Sequence, residues 1–234
     1  VDGSTNSHAI TVNGNVTNQP LSPYDYGEYD PTVHGGSVYF SGGNDVVSIS
    51  NADGRFNLNN TEDFTIEFWS YFPSSNGATW NTIVSTYSGS STGWVIQSLG
   101  NDGRKIILNF SGNGIDLTSS NGGSNGAWHH YAVVGNNGVW TIYVDGISSG
   151  SITNPAHGNS TNGDLNFNSG NSAEQYIEDF RFTRGLARYT ANFTPPTAPL
   201  SSSGASLHIK GTDASIIDKS QGQNITLIGN TTGS

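Results

Sequence analysis

Apolar and polar side chains alternate with a period of two along most of this chain, and no long stretch keeps a helical period. The clearest run is "FTIEFWSYF" at 64–72, whose alternate residues point to opposite faces when the backbone is extended. The pattern predicts strands over His8–Val12, Ser37–Phe40, Val46–Ser50, Phe64–Phe72, Thr82–Tyr87, Trp94–Leu99 and Lys105–Asn109. It continues through Ile115–Thr118, His129–Val134, Trp140–Val144, Leu165–Phe167, Gln175–Phe182 and Leu207–Lys210. Turn formers fill the gaps: "SGGND", "NADG", "NDGR", "SGNG" and "GNNG". "GNNG" at 135–138 separates two runs of matching length, the signature of a tight hairpin, and "NDGR" at 101–104 is read the same way. Only "RGLARY" (184–189) suggests a helical turn, stopped by the prolines of "FTPPTAPL". So many short strands at close spacing predict an all-β, two-sheet antiparallel jelly-roll sandwich.

Hydrophobic residues at 33% and aromatic residues at 11% are too many for a disordered chain. The net charge of −10, with only eight Lys plus Arg, makes phosphate backbones and anionic membranes poor partners. Neither nucleic-acid binding nor membrane insertion is expected. There is no cysteine, so neither disulfides nor thiolate metal sites can form. The low charged fraction, 11%, and the Gly-rich loops suit a protein exposed outside a cell or on a virion. The chain starts at Val1 and contains no Met, and is read as a processed or excised piece.

The two ends resemble each other. "VDGSTNSHAITVNGNVT" (1–17) aligns with "IDKSQGQNITLIGNTT" (217–232) with one gap, pairing Asp2 with Asp218, Ile10 with Ile225, and Gly14 with Gly229. A repeat at that distance is a whole domain. Residues 1–215 are expected to form one sandwich, and 216–234 to open a following tandem module or supply a last strand.

Five motifs occur in order: "GGSVYFSGGNDVVSIS" (35–50), "FTIEFWSYF" (64–72), "WHHYAVV" (128–134), "IYVDG" (142–146) and "YIEDFRFTRGLARYTANFTPPTAPL" (176–200). Together they resemble the laminin-G-like, concanavalin A-like jelly roll, in the variant found in structural and tail-associated proteins of marine bacteriophages. The resemblance implies a carbohydrate-binding or adhesion module, less commonly a glycoside hydrolase, and often a structural calcium. Its implied partners are glycans or cell-surface polysaccharide, and neighbouring copies or modules of a larger virion protein. Fold alone establishes none of these.

Chemistry finds little support. His129 and His130 are adjacent in a strand and face opposite ways, so they cannot share a metal ion. Asp145, before Gly146, is expected to bond nearby backbone in a turn. The E-x-D-x-x-E array of the family's glucanases is absent; Glu178 and Asp179 are adjacent and expected on opposite faces, and Glu67 stands alone. Two G-x-S-x-G matches, "GSSTG" (89–93) and "GISSG" (146–150), lack the strand–helix context of a nucleophile elbow. Asp179 and Arg181 are expected to pair on one face for structure. No enzyme is expected.

A sugar needs an exposed aromatic platform for its C–H face and polar groups for its hydroxyls. The predicted cluster is Trp80, Asn81, Tyr87, Trp94, Gln97, Asn101 and Asp102, whereas Trp69 and Trp128 are assigned to packing within the sheet. Asp25, Glu28 and Asp30 in "SPYDYGEYDP" offer oxygen ligands to a calcium ion. Asp2 and Asp218 are weaker candidates, each explained by an Asx turn.

Overall fold

Where the alternation is most regular, the chain is strand. The computed structural model describes residues 4, 6, 8–19, 21–24, 36–43, 45–59, 61–74, 80–87, 93–110, 117–153, 163–170 and 173–211. Among them are strands β1 (Ile10–Asn13), β2 (Thr17–Gln19), β3 (Ser37–Phe40), β4 (Val46–Ile49), β5 (Phe64–Tyr71), β6 (Trp80–Ser85), β7 (Trp94–Leu99) and β8 (Lys105–Phe110). There follow β9 (Leu117–Gly122), β10 (Trp128–Asn136), β11 (Val139–Val144), β12 (Ile147–Thr153), β13 (Leu165–Phe167), β14 (Gln175–Arg184) and β15 (Leu207–Ile209). No helix occurs among the described residues.

All pairings between strands are antiparallel, and they build two sheets. One runs β1-β4-β13-β6-β7-β8-β9; the other runs β12-β11-β10-β5-β14-β3-β2, with β15 added beside β14. Their facing sides enclose a single core that includes Phe64, Phe68, Trp94, Trp140, Phe180 and Phe182. This is the expected sandwich.

"GNNG" forms the expected hairpin: Asn136 pairs with Val139, and Asn137 and Gly138 both take positive φ (49° and 78°), as a two-residue type I′ turn requires. "NDGR" also joins paired strands, through the longer turn 100–104 closed by the Arg104 N–H to the Leu99 carbonyl, 3.1 Å.

Two strands, β2 and β12, were not expected, because "TNQ" and "ISSGSIT" carry little apolar alternation. "RGLARY" makes no helical turn. Its backbone and side chains tie down to β5 instead: Arg188 N–H donates to Thr65 Oγ1 (2.9 Å) and the Tyr189 hydroxyl to Glu67 (2.7 Å). Residues 186–201 thereby form a strap over the outer face of the eight-stranded sheet, where Ala187, Tyr189 and Phe193 pack on Ala132, Val134 and Tyr143.

The N-terminal half of the repeat is integral to the sandwich, since Ile10 and Val12 face the core. Its C-terminal half and Asp218 lie outside the described residues, as does Asp2.

Candidate functional site

The outer face of the seven-stranded sheet collects part of the predicted cluster. In β6, Trp80 and Thr82 point outward while Asn81 and Ile83 point inward. Thr82 lies opposite Gln97 of β7, whose amide donates to Thr82 Oγ1 (3.3 Å). Trp80 lies opposite Leu99, the residue that leads into the β7–β8 turn carrying Asn101 and Asp102. Both turn residues are exposed, and Asp102 is held by Lys105 at 3.0 Å. Tyr87 is further along, its hydroxyl donating to Asn109 of β8 (3.0 Å). Trp80 is 42% exposed and is the one exposed tryptophan of the five.

Two members of the cluster belong to the interior. Trp94 is fully buried, its indole N–H donates to the Phe56 carbonyl (2.8 Å), and its ring stacks on Phe182. Asn81 is equally buried, accepting the Ala173 N–H (3.0 Å). The expectation that these two meet a ligand is corrected: their side chains sit on the core side of β6 and β7. Sequence reasoning missed Thr82 and Asn109 because neither signals anything until cross-strand register is known.

The His129 and His130 side chains do face opposite ways. His129 Nδ1 lies 2.7 Å from Asp145 Oδ2, and its Nε2 is 3.1 Å from the Ser124 hydroxyl. These are the elements of a serine triad. However, the backbone N–H of Ser124 also donates to His129 Nε2, at 2.8 Å. The one lone pair of that nitrogen is therefore already engaged, so it is a poor acceptor for a hydroxyl proton. The other oxygen of Asp145 accepts the His130 N–H (2.9 Å), and its φ of 49° places it in the hairpin turn. Burial alone would raise the Asp145 carboxyl, but the His129 and His130 contacts outweigh it and hold it below the usual carboxylate range. This unit fixes the turns at 123–126 and 145–146.

Three carboxylates share the outer face of the eight-stranded sheet. A bulge in β14 between Glu178 and Arg181, with Asp179 at φ 56°, puts Glu178 and Asp179 on the same side. The expectation of opposite faces is thus overturned, since a bulge resets the alternation. Nor does Arg181 pair with Asp179. It reaches Glu67 on β5, at 2.5 Å from Nη2, and the Ser201 carbonyl in the strap, at 2.9 Å. Asp179 instead accepts from Tyr24 (2.6 Å) and the Leu200 N–H (2.5 Å), and contacts His208 Nε2 at 2.6 Å. Burial pushes the Glu67 carboxyl up, but His130, Arg181 and Tyr189 outweigh it and keep it below its ordinary value. Because His130 Nε2 is 3.5 Å away, too far for a normal hydrogen bond, the Arg181 guanidinium and the Tyr189 hydroxyl are the partners bonded to Glu67, and Arg181 supplies the charge. All three carboxylates are buried; Glu67 and Asp179 are held by the partners just named, and Glu178 accepts from the Ser22 hydroxyl at 3.2 Å.

Glu178 has a different balance. Burial drives its carboxyl up to about 8, with Asp179 adding to the rise while Ser22 and Lys210 oppose it. The folded protein therefore keeps this proton where the unfolded chain, titrating near 4.5, has released it. Stability should fall between about pH 4.5 and pH 8, by on the order of a few kcal/mol, and show no further effect of Glu178 above that. Urea unfolding at pH 5, 6.5 and 8 checks this: Glu178→Gln should flatten the slope, and an unchanged slope would assign it to other groups.

A polar hollow of about 220 Å³ opens between Asn6, His8, Ser50, Asp53 and Arg55. Arg55 spans it, bonded to both Asp53 and His8. The acids proposed for calcium, Asp25, Glu28 and Asp30, lie outside the described residues. Among the described residues no group of three His, Asp or Glu side chains is placed to hold a metal ion.

Two antiparallel sheets packed face to face around one core define a jelly-roll sandwich. The family model described as the concanavalin A-like lectin/glucanases superfamily matches residues 41–186, more than half of the chain, and the chain belongs to that superfamily. No curated protein sequence matches it. Among solved structures, it is similar to the binding domain of Paraclostridial Mosquitocidal Protein 1, with 18% identity and a TM-score of 0.61 over 79% of this chain and 45% of that one. The binding domain of botulinum neurotoxin serotype G is 17% identical with a TM-score of 0.55, over 78% of this chain and 44% of that one. A structure titled for the dependence of botulinum neurotoxin type C cell entry on two ganglioside molecules is also 17% identical, with a TM-score of 0.56 over 78% and 46%. The chain spans less than half the length of these three relatives, and at such identities the likeness is one of fold.

Proposed function

We propose that this chain is a non-catalytic glycan-binding module of a surface-exposed protein. The observation that carries this reading is Trp80: a large apolar ring left 42% exposed beside Thr82 and Gln97 on an open sheet face. A pyranose lays its C–H face on such a ring and offers hydroxyls to the neighbouring polar groups, which fix orientation. Asn101 and Asp102 in the adjoining turn extend the polar rim. Engaged, buried carboxylates and an occupied His129 nitrogen favour binding over hydrolysis. The fold is shared with toxin binding domains, one of them titled for ganglioside interaction, and that supports a receptor or glycan as partner. The net charge of −10 favours neutral sugars over acidic ones. Single contacts of this size are weak, and linked copies on a cell or virion surface would supply avidity.

The test is calorimetry with glycans selected on an array. Trp80→Ala should weaken binding about tenfold or more while changing stability by about 1 kcal/mol or less. A second reading, that of an architectural module, draws support from Trp69, Trp94 and Trp140, all three buried in the sandwich. Absence of any array signal, or full binding by Trp80→Ala, would favour that reading.

A further inference from the structure

The strap covers only part of the outer face of the eight-stranded sheet. Where it and Tyr24 stop, four aromatic rings stand in one cross-strand row. Tyr39 of β3 lies opposite Tyr176 of β14, Tyr176 opposite Tyr71 of β5, and Tyr71 opposite Trp128 of β10. Successive ring centroids are 4.7, 5.6 and 5.6 Å apart. All four residues are partly exposed, and the row ends at exposed Thr17 of β2, which lies opposite Tyr39. These rings come from four strands that are remote in the chain, and the sheet register alone aligns them.

We propose that this row is a second binding face, on the opposite side of the sandwich from Trp80, for a neutral linear polysaccharide. Three features favour that occupant. The rings repeat at close to the strand spacing, about 4.8 Å, which is also close to the length of one sugar ring, so consecutive residues of an extended glycan can each meet an aromatic edge or face. Tyrosines combine an apolar body with a polar tip, matching a sugar's C–H face and hydroxyls. The Tyr39 hydroxyl donates to Glu174 at 2.9 Å, which leaves its oxygen as an acceptor for a sugar hydroxyl. The negative net charge disfavours a polyanionic chain. With a face on each sheet, one module could bridge two glycan strands.

The proposal shares with the Trp80 reading the premise that the ligand is a glycan, and the experiment separates the two faces. Affinity electrophoresis would use gels containing hydroxyethylcellulose, xyloglucan, mixed-linkage β-glucan or dextran, and a proline-rich peptide would be titrated in parallel. At least one polysaccharide should retard the protein, and Trp80→Ala should still be retarded. Tyr71→Ala and Tyr176→Ala should each weaken retardation about tenfold, while Tyr176→Phe keeps most of it. Should the alanine variants fail to fold, tryptophan fluorescence decides: in a Trp80→Ala background the polysaccharide-induced change should persist, and it should vanish when Trp128→Phe, which keeps a ring in the row, is added. Full retardation of the Tyr71→Ala/Tyr176→Ala double variant would overturn the proposal. So would loss of all retardation in Trp80→Ala, or binding of the peptide at the row with no polysaccharide bound.

Discussion

Replacing Trp94 with alanine is expected to destabilise the fold by about 3–5 kcal/mol, the range for deleting a large buried aromatic ring. The ring is wholly enclosed, stacks on Phe182 with centroids 6.4 Å apart, and anchors the 51–58 loop through its bond to the Phe56 carbonyl. Deletion removes apolar burial, leaves a cavity between the sheets, and strands a carbonyl beneath Phe56, itself fully buried. For a domain of this size the melting temperature should drop by roughly 10 °C. Chemical denaturation provides the measurement. A loss below about 1 kcal/mol would mean that Trp94 lies at a surface, and would restore it as a ligand platform.

The second large effect belongs to Arg181. Its guanidinium is the main counter-charge to Glu67, which is completely buried in the middle of the sheet, and it also holds the strap through Ser201. Arg181→Ala leaves a charged carboxylate unpaired, with a cost of about 3–5 kcal/mol. It should also raise amide exchange across 186–201, because the strap loses an anchor. The double variant Glu67→Gln/Arg181→Met should recover much of the loss, since no isolated charge then remains. A double variant as unstable as Arg181→Ala would show that the pair's value lies in packing and not in charge.

The strands that alternate cleanly were legible in the sequence, β5 and β10 above all, as was the turn at Asn137 and Gly138. β12 was not, because an edge strand held mainly by backbone bonds to β11 needs no apolar pattern. The bulge at Asp179 was also hidden. A positive φ on a non-glycine residue is imposed by the contacts with Tyr24, Leu200 and His208, all distant in the chain. Trp80 and Trp94 carry the same signal, tryptophan at a strand end, yet one faces solvent and the other the core. A second bulge, between Thr82 and Val84, sets which residues of β6 face outward, and composition does not encode it. The aromatic row depends on register between strands far apart in the sequence, so it exists only in the folded sheet.

Amide NMR of the intact chain, titrated with the glycan that binds best on an array, tests the glycan-binding reading most directly. The indole N–H of Trp80 and the amides of Thr82 and Gln97 should shift together and saturably, while the His129–Asp145 pair and the buried Glu67–Arg181 pair stay unmoved. Shifts centred on those two pairs, reducing-end signals from a cleaved sugar, or no shifts with any glycan would contradict it.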